Sequence, residues 1–282
     1  MSNFPIFDTH AHLQDPDFVD DLPDLLQKLK AEGVGRVVLP GSNLKDSERA
    51  CELALKVPGL FVVIGVHPHD SKDWNEQSRE RLINLYEKTE AQAKQLGRSR
   101  IVVGIGEIGL DYHYDFSPRD QQAKVYREQI EIAHELNLPI VIHEREAFQD
   151  SWNILEQAHK EGLIELPAAC HCYSGSKESG ERLIDLGFYL GFDGPITFKN
   201  AKRPAEVFTW VPEDRFLLET DSPYLTPHPF RGKRNDPSKL LWIEEKAAEL
   251  KDLSGQEIRR LNWENASRFF RLPLETDKDV LI

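Results

Sequence analysis

Ile6-Phe-Asp-Thr-His-Ala-His12 closes the first apolar run of the chain, Phe4 to Leu13. In extended backbone successive side chains alternate between faces, so Asp8, His10 and His12 share one face while Thr9 and Ala11 share the other. Two imidazoles on one face of a strand end are either a pair of exposed histidines or two nitrogen ligands for one divalent cation, with Asp8 one step deeper as their partner. The rest of the chain decides between these readings, because this run is the first of eight similar ones.

Outward from it, short β-branched and apolar runs alternate with longer amphipathic segments. Strands are expected at Ile6 to His12, Arg36 to Pro40, Leu60 to His67, Ile101 to Glu107, Pro139 to His143, Ala168 to Cys172, Phe188 to Phe192 and Phe216 to Asp221. Helices are expected at about 16–31, 44–56, 76–96, 147–161, 177–186, 205–210 and 237–250. A further helix opens at Ser117-Pro118, a capping serine before a proline at the first helical position, and carries Ala123, Tyr126, Ile130 and Ala133 as an apolar stripe. Strand then helix, eight times, is the pattern of a single-domain α/β chain folded as a (β/α)8 TIM barrel. A doubly wound open sheet is the rival, but no Gly-x-Gly-x-x-Gly follows the first strand. A last helix, Gln256 to Phe270, places Asn265 on an otherwise apolar face, as a hydrogen-bonded core asparagine that fixes a loop. The barrel is assigned to residues 1–272 and a polar C-terminal tail to 273–282.

With 282 residues, 40% of them apolar, the chain can bury a barrel-sized core. Its longest apolar block, Leu60 to Val66, is too short to span a bilayer, and no basic stretch precedes a long apolar run at the start. Three cysteines, Cys51, Cys170 and Cys172, argue against a disulfide framework and fit a reducing cytosol. A cytoplasmic protein with no membrane contact and no obligate protein partner is expected. The net charge of −13 excludes a broad basic surface for duplex nucleic acid, so a phosphate-bearing substrate must be held by metal or by a local cluster of cations.

Side chains at the carboxyl ends of barrel strands line a common mouth, where barrel enzymes build their active sites. The expected strand ends place His10, His12, His67, His69, Glu107, His143, His171, Glu219 and Asp221 there. Singly, each has an ordinary explanation: Glu107 ends a strand, His143 is a core histidine, Asp221 forms a turn before Ser222-Pro223. Among them four imidazoles and two carboxylates make a set suited to two divalent ions that share Glu107 as a bridge. Mixed nitrogen and oxygen donors favour zinc or manganese, with magnesium where oxygen dominates.

The motifs His10-Ala-His12, Gly-Val-His67-Pro, Gly106-Glu-Ile-Gly-Leu-Asp-Tyr112, Val141-Ile-His143, His171-Cys-Tyr-Ser-Gly175, Glu219-Thr-Asp-Ser-Pro-Tyr224 and Arg231-Gly-Lys-Arg-Asn235 resemble the TatD family of metal-dependent deoxyribonucleases. The resemblance runs from residue 6 to the ending Asn265-x-x-Arg-Phe-Phe270. It implies a branch of the amidohydrolase superfamily with His10, His12, Glu107, His143, His171 and Asp221 as metal ligands, and divalent-metal-dependent hydrolysis of DNA, often as an exonuclease. Two departures stand out: Glu144 and Glu146 make the end of the fifth strand acidic, and Arg98-Ser-Arg100 lengthens a loop.

The leading reading is therefore a phosphodiester hydrolase acting on DNA ends or single-stranded DNA through a metal-activated water, with Glu107 bridging the ions and Asp221 orienting or deprotonating the water. His67 then contacts the leaving group or phosphate. The same water attacks a carbonyl as readily, so hydrolysis of a carboxyl ester or amide, such as aminoacyl-tRNA or a lactone, is the second reading. A non-catalytic metal-binding scaffold is the third.

Lys199, Lys202 and Arg203 follow the seventh strand and Arg231, Lys233 and Arg234 the eighth, where barrels usually bind phosphate. Tyr112, Tyr173 and Tyr224 stand just past strand ends, where a ring stacks on an unpaired base or packs the rim. Alternation turns the thiols of Cys170 and Cys172 away from the direction taken by His171, as packing groups.

Overall fold

The computed structural model describes residues 4–275 and 279–281. In chain order the elements are β1 (Ile6–Asp8), α1 (Leu22–Ala31), β2 (Val34–Pro40), α2 (Leu44–Lys56), β3 (Leu60–Ile64), α3 (Ser78–Gln95), β4 (Val102–Asp111), α4 (Arg119–Glu135), β5 (Ile140–Arg145), α5 (Phe148–Lys160), β6 (Ala168–Cys170), α6 (Lys177–Asp185), β7 (Tyr189–Phe192), α7 (Lys202–Trp210), β8 (Phe216–Leu218), α8 (Leu240–Lys251) and α9 (Gly255–Phe269). The strands lie in one eight-stranded sheet in the order β1 to β8. After β8 the backbone returns to β1: Thr9 N–H donates to Leu218 O, Asp221 N–H to His10 O, and His12 N–H to Ser222 O. This is the expected (β/α)8 barrel.

Contacts group the chain into two compact units, Met1–Leu39 with Lys56–Leu60 and Cys172–Ile282, and Pro40–Leu55 with Phe61–His171. In the first, aromatic rings fill the interior: Phe7 meets Trp263 at 5.5 Å and Phe208 meets Phe216 at 5.2 Å. Asn262 of α9 donates to Phe7 O and accepts from Leu218 N–H, both at 2.8 Å, so one amide fastens the helix to β1 and β8. Asn265, as expected, fixes a loop by donating to Glu213 O and Phe216 O.

In the second unit β3 to β6 run parallel, with Val63 beside Gly104, Ile105 beside Ile140, Gly109 beside His143 and Ile142 beside Cys170. Two buried glutamines of α4 satisfy the loop backbone around the strand ends. Gln129 pairs with both N–H and C=O of Val66, and Gln122 accepts from Asp111 N–H while donating to Asp111 O and Ser117 O. Such pairing removes the cost of burying peptide groups away from water.

Strand ends differ most from the sequence reading. β1 stops at Asp8 rather than His12, because the Asp8 carboxylate accepts from His10 N–H and turns the chain out of the ladder; an isolated Ala11–Ser222 bridge follows. β3 stops at Ile64 and His67 caps the short 3-10 turn Pro68–Asp73, where proline has no N–H for a ladder. β6 stops at Cys170 and β8 at Leu218, ahead of Cys172 and Asp221, whose φ values are +46° and +53°. β4 instead runs on past Glu107 to Asp111, since β5 continues beside it to Arg145.

Ser117 does not cap α4: its hydroxyl donates to His69 O and accepts from Lys72 N–H, and the helix starts at Arg119. The helix expected over 16–31 is a 3-10 turn, Pro16–Phe18, followed by α1. Of the expected tail, residues 276–278 and 282 lie outside the described residues, and the described part is tied down. The buried Arg36 donates to Pro273 O, Glu275 O and Asp279 O, and Leu281 N–H donates to Gly35 O.

Candidate active site

Four side chains of the second unit converge: Glu107 within β4, His143 within β5, His67 just past β3 and His171 just past β6. Glu107 Oε1 lies 3.0 Å from His143 Nδ1, 2.8 Å from His171 Nε2 and 3.4 Å from His67 Nε2, and the two imidazole nitrogens of His143 and His171 face each other at 3.1 Å. The register of β4 on β5 slips between Ile105 and Ile108, a bulge of the kind that re-aims a side chain, and Glu107 lies within it. His143 is held from its other side, where Nε2 lies 3.0 Å from Asp111 Oδ2. Gly109 sits between the two acids on this face of β4 at φ +143°, and a Cβ there would meet His143 O at 1.9 Å, so only glycine allows the approach.

In the first unit His10, His12 and Asp221 offer ligand atoms within 4.8 Å of one another. His12 Nε2 is 3.5 Å and His10 Nε2 3.8 Å from Asp221 Oδ1. Behind them Asp8 accepts from His10 N–H and Thr220 N–H through one oxygen and from Thr220 Oγ1, at 2.6 Å, through the other. Asp8 therefore orients the backbone that carries the ligands rather than an imidazole ring. Glu219 lies on Gly191, where a Cβ would come within 2.6 Å of its carboxylate, and accepts from Cys172 N–H at 2.6 Å.

Burial governs the acids of this unit. It raises the Asp8 carboxyl to about 7 and, with the charges of neighbouring carboxylates, holds Glu219 and Asp193 well above the usual range. In the second unit burial, then the charge of His143, pushes His67 well below its ordinary value. For His143 burial opposes the proton, yet hydrogen bonds to Asp111 and Glu107 outweigh it and raise the imidazole to about 9. Burial likewise opposes ionisation of Asp111, and the bonds from His143, Tyr114 N–H and His69 overcome it.

Both clusters fit a divalent ion by the chemistry of their donors. Glu107 Oε1 and two imidazole nitrogens point lone pairs at one another at about hydrogen-bond separation, an arrangement that repels unless protons or a cation sit among them. A family model described as TatD related DNase matches residues 7–271. The chain belongs to the TatD family.

The metal-dependent hydrolase YabD of Bacillus subtilis (strain 168) is 44% identical over 267 residues, spanning 95% of this chain and 99% of the relative. The 3'-5' ssDNA/RNA exonuclease TatD of Salmonella typhimurium is 32% identical over 273 residues, 95% of this chain and 99% of that one. Among solved structures, the TatD homologue YJJV of Escherichia coli K12 superposes with a TM-score of 0.84 at 28% identity, over 95% of this chain and 98% of that one.

Around the clusters of this TatD-family chain the expected substrate contacts divide. Lys199, Arg203 and Arg231 are exposed and engage no carboxylate among the described residues; Arg231 stacks on Phe198 at 3.7 Å. Arg234 is committed elsewhere, to both carboxylate oxygens of Asp21, to Asp17 O and to the Phe18 ring. Tyr112 is no open ring: its hydroxyl donates to Asp150 at 2.8 Å and the Arg119 guanidinium covers a face at 4.1 Å. Tyr173 is buried and donates to Ser176 O, a packing role. Tyr224 is 53% exposed beside His12, with ring centroids 5.9 Å apart, and its hydroxyl donates to Asp15 at 3.3 Å.

Cys172 departs from the alternation expected of it, since it lies past β6 with φ +46°. Glu144 accepts from Ala147 N–H and so anchors the start of α5, and Glu146 pairs with His113. Arg98 of the lengthened loop donates to Ala54 O. The sequence reading missed Asp111, the carboxylate that holds His143 and His69. Period two from Glu107 leads through Gly109 to Asp111 on the same face, and that signal was available.

Proposed function

We propose that this chain hydrolyses phosphodiester bonds at the ends of single-stranded DNA with two divalent ions, one held by His10, His12 and Asp221 and the other by Glu107, His143 and His171. The observation that carries the reading is the convergence of Glu107 Oε1, His143 Nδ1 and His171 Nε2 to within 3.1 Å of one another. The name of the Salmonella relative, an exonuclease on single-stranded DNA and RNA, supports the substrate class. When bound, such ions polarise phosphoryl oxygens and bring the pKa of a coordinated water toward neutrality. A set of imidazoles and carboxylates suits zinc or manganese.

The chain's own groups do the rest. Asp221 accepts the proton of the attacking water, because its carboxylate stands between two imidazoles that hold it in place. Glu107 keeps three imidazoles directed inward, His67 contacts the phosphate, and Lys199, Arg203 and Arg231 hold phosphates further along the strand. We place this work in the cytoplasm, consistent with three free cysteines; no helix among the described residues is long and apolar enough to cross a membrane.

The test is metal content and hydrolysis of a single-stranded oligonucleotide by His143→Ala and Asp221→Asn. Each variant is expected to lose bound metal and at least about a hundredfold in kcat/KM, in line with loss of a ligand or general base. Wild-type hydrolysis by both variants refutes the assignment. Cleavage of carboxyl esters in place of oligonucleotides moves the same site to the other bond.

A further inference from the structure

The loop that leaves β4 presents aromatic surface to solvent. Tyr114 is 48% and Phe116 57% exposed, and their rings stack with centroids 5.3 Å apart and planes 24° apart. Paired apolar rings left in water forgo the stabilisation of burial, and contiguous exposed apolar surface marks a contact site.

This pair adjoins the second-unit cluster. The Phe116 ring meets His69 at 4.8 Å and Tyr114 meets it at 5.4 Å; His69 in turn lies 4.2 Å from His67 and 6.2 Å from His143. The loop is also fixed in place. Asp111 Oδ1 accepts from the N–H groups of His113 and Tyr114, and Ser117 binds His69 O and Lys72 N–H. Cations stand beside the rings: the Arg145 guanidinium lies 4.8 Å over Tyr114, and Lys72 Nζ donates to Phe116 O. Preorganised aromatic faces next to cations are how proteins hold unpaired nucleic acid, the rings taking bases and the cations following the backbone.

We propose that Phe116, backed by the Tyr114 ring stacked on it, forms a base-stacking subsite for an unpaired nucleotide next to the scissile phosphate, with Lys72 and Arg145 beside its backbone. The proposal rests on the nuclease reading above and assigns the part of the substrate that reading leaves open. Bases paired in a duplex keep both faces against their neighbours, so the subsite selects single strands. Because every base has a π-face, it is tolerant of sequence.

The experiment measures binding of a short phosphorothioate thymidine strand, which resists hydrolysis, and of the same strand with abasic positions, to the full chain with manganese present. Wild type is expected to bind the strand with bases at least about fivefold more tightly. A Tyr114→Leu/Phe116→Leu variant keeps apolar bulk without rings and is expected to bind both strands alike, whereas Phe116→Trp retains the preference. Absence of a preference in wild type overturns the subsite, and so does an undiminished preference in the leucine variant. Parallel hydrolysis assays on ordinary strands separate the two ideas. Binding with a base preference but no cleavage leaves the subsite standing and removes the nuclease; cleavage without a base preference does the reverse.

Discussion

Asp111 divides its two oxygens between two tasks. Oδ2 lies 3.0 Å from His143 Nε2 and 2.9 Å from His69 Nε2, and Oδ1 accepts from the N–H groups of His113 and Tyr114. Holding the Nε2 proton of His143 makes Nδ1, the nitrogen that faces Glu107 and His171, the one that would give up its proton to ligate an ion. Asp111→Asn is therefore expected to weaken metal binding about 10- to 100-fold, measured by calorimetric titration, while His143→Ala loses the site. Affinity within twofold of wild type defeats that role. His10, Glu107, His143 and Asp221 stand out in the sequence because barrel enzymes build their sites at strand ends, and the family resemblance selects these four among the histidines and acids there. Asp111 is passed over when β4 is taken to end at Glu107, although period two carries the same face on to it, and Tyr112 is overrated because nothing local reveals that Asp150 and Arg119 claim it.

Among the elements, α9 depends most on a polar core residue. Asn262 is fully buried, and its amide satisfies both Leu218 N–H and Phe7 O. Asn262→Leu leaves one buried donor and one buried acceptor without partners, each at about 1–3 kcal/mol. Denaturant unfolding is expected to register a loss of about 2–4 kcal/mol, and a loss under about 0.5 kcal/mol contradicts the assignment. Helix cores were legible from their periodicity: α2 occupies Leu44–Lys56 as expected. Strand ends were not, because a ladder stops where a side chain captures a backbone group, as Asp8 does with His10, and such captures carry no periodic mark.

At the scale of the whole molecule, stability and metal should be linked, since the ligands of each cluster are far apart in sequence and meet only in the folded chain. Anything that binds the native state alone stabilises it, by about 2.7 kcal/mol per site at a hundredfold excess over Kd. Chelation is expected to lower the thermal midpoint of the wild type and manganese or zinc to restore it, with the response reduced in His143→Ala. A midpoint indifferent to chelator contradicts ion binding at these clusters. By itself the sequence determined the (β/α)8 order and a group of histidines and acids at strand ends, from which the family resemblance takes six candidate ligands, because alternating runs and polar residues at their ends are properties of neighbours along a chain. Only the tertiary structure decided that Asp111 fastens two imidazoles, that Arg234 is spent on Asp21, and that Phe116, with Tyr114 stacked behind it, is exposed where Tyr112 and Tyr173 are engaged. Which groups a side chain meets depends on partners remote in sequence, and hydrogen bonds and ring contacts between them form only once the backbone has placed both.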